Sequence, residues 1–386
     1  MVPSLCLPRC RALNAGRRLA VALLLSLAAA GAHATEWTLG GDWRADVSAS
    51  ERDGRSGGYS SATTLKSRLR LYARRNLSAQ WRFGARPATQ AISDGNDFGF
   101  RVDGYRATGT GTGYGEVHPD ELYLRWGGKN SRNRLTLGRF QTSFGLPIVS
   151  SKNLDRKDSS GIGWTDGLYW RSQLAGGWES HAIAQLNHRK GTGNTIRGPL
   201  DFSSSSSRVS GYFGLRSTER VGPVSLRMLS LTWMPDALAP YGIADARRRD
   251  YVVATVKAAA DWPLPSGRFV AAGEFGYAFN RPFAEAVLLD GEGQAGGESL
   301  QLGASWFDMA PGHHLGLVWG RARAGWLISS KLKNNGDLWE LSYKYDLTQA
   351  VALSVRARLR QDVELQDGAG QRRQDRDARL RVSWKF

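Results

Sequence analysis

The last eight residues of the chain read RLRVSWKF. Leu380, Val382, Trp384 and Phe386 fall on one parity, and Arg379, Arg381, Ser383 and Lys385 on the other. Side chains alternate across a β-strand, so this segment has one apolar face and one cationic face. A strand buried on both faces has no place for the cations. A strand wetted on both faces has none for the Trp and Phe. The pattern demands a sheet with an apolar medium on one side and water on the other.

The same alternation recurs along the chain. It is read in WTLGGDWRADVS (37–48), TTLKSRLRLYAR (63–74), AQWRFGAR (79–86), DELYLRW (120–126) and RLTLGRF (134–140). Further segments fall at 165–172, 179–187, 208–217, 222–234, 250–260, 268–280, 298–307, 313–320, 338–346, 351–360 and 376–386, which makes sixteen strands. Short connectors such as 75–78, 127–132 and 347–350 alternate with long ones at 49–62, 87–118, 142–164, 188–207, 235–249, 281–297, 321–337 and 361–375. The pattern predicts an all-β fold: a closed antiparallel transmembrane barrel with short periplasmic turns and long extracellular loops. Closure follows from the backbone, because an unpaired N–H or C=O in hydrocarbon costs several kcal/mol. Two places break the phase. Around Leu226, Met228, Leu229 and Leu231 the apolar parity switches, which predicts a bulge or a mixed face. Arg139 shares the parity of Leu135 and Leu137, so Gly138 is expected to mark a kink.

The amino end places the barrel in a compartment. Arg17 and Arg18 precede an apolar run from Leu19 to Ala30, and Ala32-His33-Ala34 fits the small-x-small cleavage rule. Residues 1–34 therefore read as a secretory signal peptide, and 35–386 as a single barrel destined for a Gram-negative outer membrane. The apolar run is too short for a spanning helix, which needs ~20 residues. Both cysteines, Cys6 and Cys10, lie in this leader, so no thiolate site or disulfide is expected in the body. No room is left for an N-terminal plug domain. The chain is rich in glycine (46) and in aromatics (14 Trp, 12 Tyr, 13 Phe), and its mean hydropathy of −0.39 is ordinary. That combination fits a barrel in which only every second residue is apolar.

The formal charge is +17, and removing the four leader arginines leaves +13 for the folded body. Much of it sits on the inward parity. Arg44, Lys66, Arg68, Arg70, Arg82 and Arg86 belong to the first three strands, and Arg125 and Arg134 to the next two. Arg356, Arg358 and Arg360 form a ladder on strand fifteen, with Arg379 and Arg381 beside it on strand sixteen. Inward carboxylates are fewer: Asp42, Asp46, Glu121, Glu274, Glu340 and Asp346. Rings or ladders of Arg and Lys favour anions in pores, and Arg grips phosphate or carboxylate in a fork. The alternative is a basic wall that balances acidic loop residues, without selectivity. Basic residues that alternate with lipid-type residues on an exported chain do not make a nucleic-acid patch, so no nucleic-acid partner is expected.

Two stretches carry a resemblance to known families. The aromatic, alternating C-terminal strand ending in Phe386 resembles the assembly signal that outer-membrane barrels present to their insertion machinery. By that resemblance Leu380, Val382, Trp384 and Phe386 face lipid and are read by that partner. GRFQTSFGLP (Gly138–Pro147) resembles the strand-to-loop junction of the phosphate-selective porins and related sixteen-stranded porins. The resemblance implies a passive channel for small anionic or polar solutes, a trimer of barrels, and a 142–164 loop folded into the lumen. Lys152, Asp155, Arg156, Lys157 and Asp158 would then sit at the constriction; otherwise they are solvated loop charges. The family's phosphate-binding arginines cannot be matched residue by residue.

Other chemistry is weakly represented. LDGEGQAGGE (Leu289–Glu298) lacks the full calcium-loop pattern, and His313-His314 lacks a third ligand, so neither metal nor cofactor is expected. A barrel phospholipase would need a Ser-His pair, and His181 and His188 with Asn187 have no nucleophile on their face. No catalytic residues are expected. The competing function is a surface-binding barrel, whose 87–118 connector, with GYRATGTGTGYGEVHPD at its end, would be the binding element.

Overall fold

The structure is a computed structural model. It describes residues 37–94, 97–103, 106–107, 110–111, 118–128, 130–155, 164–188, 208–238, 249–329, 331–332 and 334–386. The signal-peptide reading of residues 1–34 lies outside them.

Sixteen antiparallel strands form one closed sheet: β1 Trp37–Asp53, β2 Tyr59–Asn76, β3 Trp81–Asp94, β4 His118–Trp126, β5 Asn133–Phe140, β6 Thr165–Gln173, β7 Trp178–His188 and β8 Arg208–Ser217, then β9 Val224–Leu238, β10 Arg249–Pro263, β11 Arg268–Ala278, β12 Glu298–Ala310, β13 His313–Ala322, β14 Gly336–Asp346, β15 Val351–Asp362 and β16 Gln374–Lys385. Each pairs with its neighbours in sequence, and β16 pairs back onto β1. The seam is in register from Asp42↔Lys385 to Asp53↔Gln374. Gly41 and Phe386 exchange backbone hydrogen bonds of 2.8 and 3.1 Å at its end. No helix among the described residues is long and apolar enough to cross a membrane.

Each expected segment overlaps one strand, but several strands run further. The connector expected at 49–62 shrinks to 54–58, because β1 and β2 continue toward each other. The expected 87–118 connector contains the end of β3 and a further strand, Asp97–Asp103, paired with it. The extensions of β1 (49–53) and β2 (59–62) are mostly polar, so apolar alternation does not reveal them.

The two faces separate as the parity requires. Leu359, Leu341, Leu317, Leu302, Val256 and Leu380 point outward and are exposed, as are Trp339 and Trp233. Arg139 sits among outward neighbours next to Gly138, whose φ of +108° breaks the regular strand. There its guanidinium meets Asp166 at 2.8 Å and lies over the Trp164 ring. The expected bulge on β9 is present as a register shift between Val224 and Leu226. Beyond it Leu226 and Met228 turn inward and are buried, while Leu229 and Leu231 stay exposed.

The inward apolar residues gather in one sector. Ile183, Tyr212, Leu226, Met228, Met234, Tyr251, Val253, Val270 and Val318, from β7 to β13, are buried inside the barrel. They are covered by Phe144, Leu146, Ile148 and Leu154 of the connector after β5. The interior is therefore divided: an apolar core under β7–β13, and a charged space bordered by β14–β16, β1 and β2.

Candidate functional site

The connector after β5 leaves the wall at Phe140 and crosses inward. Its anchorage is polar as well as apolar. Lys257, fully buried on β10, reaches the Phe144 carbonyl at 2.7 Å and the Asp155 carboxylate at 2.5 Å. Glu274 on β11 lies 2.7 Å from the same ammonium. Asp155 also accepts hydrogen bonds from Ser230 at 2.8 Å and Tyr212 at 3.2 Å. Lys152 donates to Glu340 of β14 and to Ser150 Oγ, the latter at 2.9 Å, and Ser150 donates to Glu340 as well. The Lys152 backbone N–H donates to Gln301 at 2.7 Å, and the Val149 N–H to Ser305 at 3.0 Å. A buried ion pair with one partner removed costs several kcal/mol, so these contacts fix the connector.

Lys152 and Asp155, expected at the constriction, are thus buried at 5% and 4% exposure. Asp155 acts as an anchor inside the wall contact rather than as an open charge. Arg156, Lys157 and Asp158 lie outside the described residues.

The predicted arginine positions fall into two groups. Arg44, Lys66, Arg68, Arg356, Arg358, Arg360, Arg379 and Arg381 border one cavity of about 550 Å³. Its lining contains twelve basic and four acidic residues, so its net charge is strongly positive. A second cavity of about 430 Å³ lies between the inward connector and β14–β16. It is lined by seven basic residues and no acidic one, among them Lys152, Lys344 and Arg356.

The other five positions line neither cavity. Arg70 and Arg86 converge on the fully buried Asp120, at 2.7 and 2.6 Å. Arg86 also reaches Glu121 at 3.0 Å and Gln141 at 2.5 Å. Arg82 donates to Asn76 at 2.9 Å, Arg125 to Thr136 at 3.1 Å, and Arg134 to the Gly128 carbonyl at 3.1 Å. These five are held against the wall by local partners.

Within the first cavity the ladder is partly neutralised. Arg68 pairs with Asp42, and Arg381 with Asp46 across the β1–β16 seam. Asp377 takes both Arg356 and Arg358. Arg379 stands directly opposite Arg356 on one side and Ser48 on the other. Like charges in that position repel, and Asp377 and Glu340 beside Arg356 offset that repulsion. Asp377 and Asp375 were not among the expected carboxylates. They share the parity of Arg379 and Arg381, which is the signal that identifies them.

The C-terminal strand carries its apolar residues on one parity. Leu380, Trp384 and Phe386 are about half exposed, and the Trp384 and Phe386 rings sit 4.8 Å apart. His181 is buried, with Nδ1 2.8 Å from the Tyr169 hydroxyl. His314 pairs with Asp346 at 2.9 Å.

No family model matches the chain, and no curated protein matches it. Solved structures do. OprB of Pseudomonas putida superposes with a TM-score of 0.62 at 13% identity, over 91% of this chain and 94% of that one. An anion-selective porin from Comamonas acidovorans gives 0.52 at 14% identity, over 91% and 100%. A loop-deletion mutant of OmpT, an outer membrane protein of Vibrio cholerae, gives 0.52 at 8% identity, over 92% and 100%. The chain has the sixteen-stranded porin fold. The resemblance read from Gly138–Pro147 and the C-terminal strand is met at the level of fold.

Proposed function

We propose that this protein is an outer-membrane channel that passes small solutes by diffusion and favours anions. The observation that carries the reading is the charge of the space left open by the inward connector. Seven basic residues and no acidic ones line its narrower cavity, and twelve against four line the wider one. An apolar belt outside and a cationic space inside suit a barrel in lipid with a wet interior. Low-dielectric walls focus the field of such a lining and concentrate anions. An anion roughly 6 Å from one unpaired cation gains about 3 kcal/mol at an effective dielectric of ~20, so unequal passage of anions and cations is expected. The anion-selective porin from Comamonas acidovorans, which has the same fold, agrees with this direction.

In this reading the short turns face the periplasm and the long connectors face outward. Leu380, Val382, Trp384 and Phe386 meet lipid and the insertion machinery. The test is swelling of proteoliposomes in isosmotic solutions of one neutral, one anionic and one cationic solute of equal size. The anion should enter fastest. Faster entry of the cation contradicts the selectivity, and entry of none contradicts the channel.

A further inference from the structure

The short-turn end of the barrel carries a second cationic array, apart from the ladder on β15 and β16. Close to their short turns, β3, β4, β5, β6 and β8 place Arg82, Arg125, Arg134, Arg171 and Arg216 on the inward parity, and β7 places Glu179 there. Arg82 stands directly opposite Arg125, and Arg134 opposite Arg171. Arg134 lies in the combined field of Arg171, Arg125 and Arg82, with Glu179 as the opposing charge. Glu179 pairs with Arg171, lies 3.6 Å from His181 and stands opposite Arg216. Arg82 and Arg125 donate to neutral oxygens, of Asn76 at 2.9 Å and of Thr136 at 3.1 Å. The adjoining turns add Arg132, Glu219 and Arg220. Further round this rim the charges are matched. Asp261 meets Arg220 and Arg268 at 2.6 and 3.1 Å, and Asp346 meets Lys344 and His314 at 2.7 and 2.9 Å. Like charges directly opposite on a sheet are destabilising, so the row gains from an anionic ligand that spans it.

The row does not lie on the open path. Its arginines line neither cavity. One step deeper on the same face stand Tyr123, two residues from Arg125, and Tyr169, two residues from Arg171, both part of the apolar core covered by Phe144. Phe144 stacks on Tyr212 at 5.2 Å and packs against His181 at 4.8 Å. The packed sector closes off the row from within, so a ligand reaches it from the short-turn side. β3 and β8 are five strand separations apart, roughly 24 Å at ~4.8 Å each. A single small anion covers one fork of such an array, whereas about seven extended residues cover all of it. Arginine forks take carboxylates two oxygens at a time.

We infer that this row is a docking site for an acidic segment, rich in Asp and Glu, of a periplasmic partner protein. The inference rests on the reading that the short turns face the periplasm, and it concerns a part of the barrel outside the open path. A run of carboxylates supplies one anion per arginine. Peptidoglycan, an extended polymer of another class, carries amines among its carboxylates and matches the row less well.

The experiment is binding of fluorescent octaglutamate to the purified full chain in detergent at low salt, followed by anisotropy. Octaglutamate should bind about tenfold more tightly than triglutamate, because only the longer peptide spans the row. Arg125→Gln with Arg134→Gln should weaken its binding by about tenfold, and the matching Lys pair, which keeps the charge, by no more than about threefold. Arg356→Gln with Arg358→Gln, on the wall of the open path, should leave binding within about twofold of wild type. Each variant is first shown to be folded by resistance to SDS at room temperature; if the first pair does not fold, Arg82→Gln with Arg216→Gln takes its place. Equal binding by wild type and the rim pair overturns the inference, as does equal affinity for the two peptides. Loss of binding in the Arg356 and Arg358 pair alone also overturns it, by placing the peptide in the open path. Purified peptidoglycan retained by wild type and lost in the rim pair, with no binding of octaglutamate, assigns the row to the cell wall and overturns the peptide partner. Binding of octaglutamate to intact cells that is lost in the rim pair refutes the periplasmic orientation itself.

Discussion

Lys257 is the fully buried cation on which the inward connector rests. It meets the Phe144 carbonyl, Asp155 and Glu274 together. Lys257→Ala leaves both carboxylates in a dry site, and the expected loss is about 3–5 kcal/mol. Equilibrium urea unfolding of the folded barrel measures it. Arg82→Ala makes the contrast: Arg82 donates an exposed hydrogen bond to Asn76, and its removal should cost no more than ~1 kcal/mol in the same assay. The parity of Lys257 is visible in the sequence, yet its role is not. It lies on a strand with apolar residues on both faces, and only the placement of a distant connector makes it an anchor. Asp377 is the opposite case, readable from the spacing of its own strand.

At the scale of elements, sixteen alternating segments gave sixteen strands, because alternation reports on a sheet with two different media at its faces. The ends of β1, β2 and β3 were not legible, since they extend beyond the apolar belt where neither face need be apolar. The filled sector of the interior left a trace in the mixed parity of β9. Leu226 and Met228 point inward because Leu146, Ile148 and Phe144 cover them. Deleting residues 143–155 should widen the open space and raise single-channel conductance severalfold; unchanged conductance would mean that this connector does not narrow the path. The outer face gives an independent check. Leu380→Arg places a charge in the belt and should cost roughly 2–4 kcal/mol if that position lies near the bilayer midplane. Thermal unfolding of the barrel in lipid against detergent measures it, and an equal loss in both media would place Leu380 away from the hydrocarbon.

At the scale of the whole molecule, the interior is asymmetric: one sector is packed like a protein core, and the rest carries the surplus charge. The ladder of Arg356, Arg358, Arg379 and Arg381 lies at the seam where the sheet closes, so closure and the charged wall depend on the same strands. Changing Arg356, Arg358 and Arg379 together to Ala removes three charges from the junction of the two cavities. The ratio of anion to cation permeability should fall by an order of magnitude or more, as read from bi-ionic potentials. The central claim is that the open interior favours anions. The most direct test is the reversal potential of the refolded protein in a planar bilayer under a KCl gradient. The account predicts a potential displaced toward the chloride equilibrium value. A displacement toward the potassium value would contradict it and would assign control of the path to carboxylates instead of to the arginine wall.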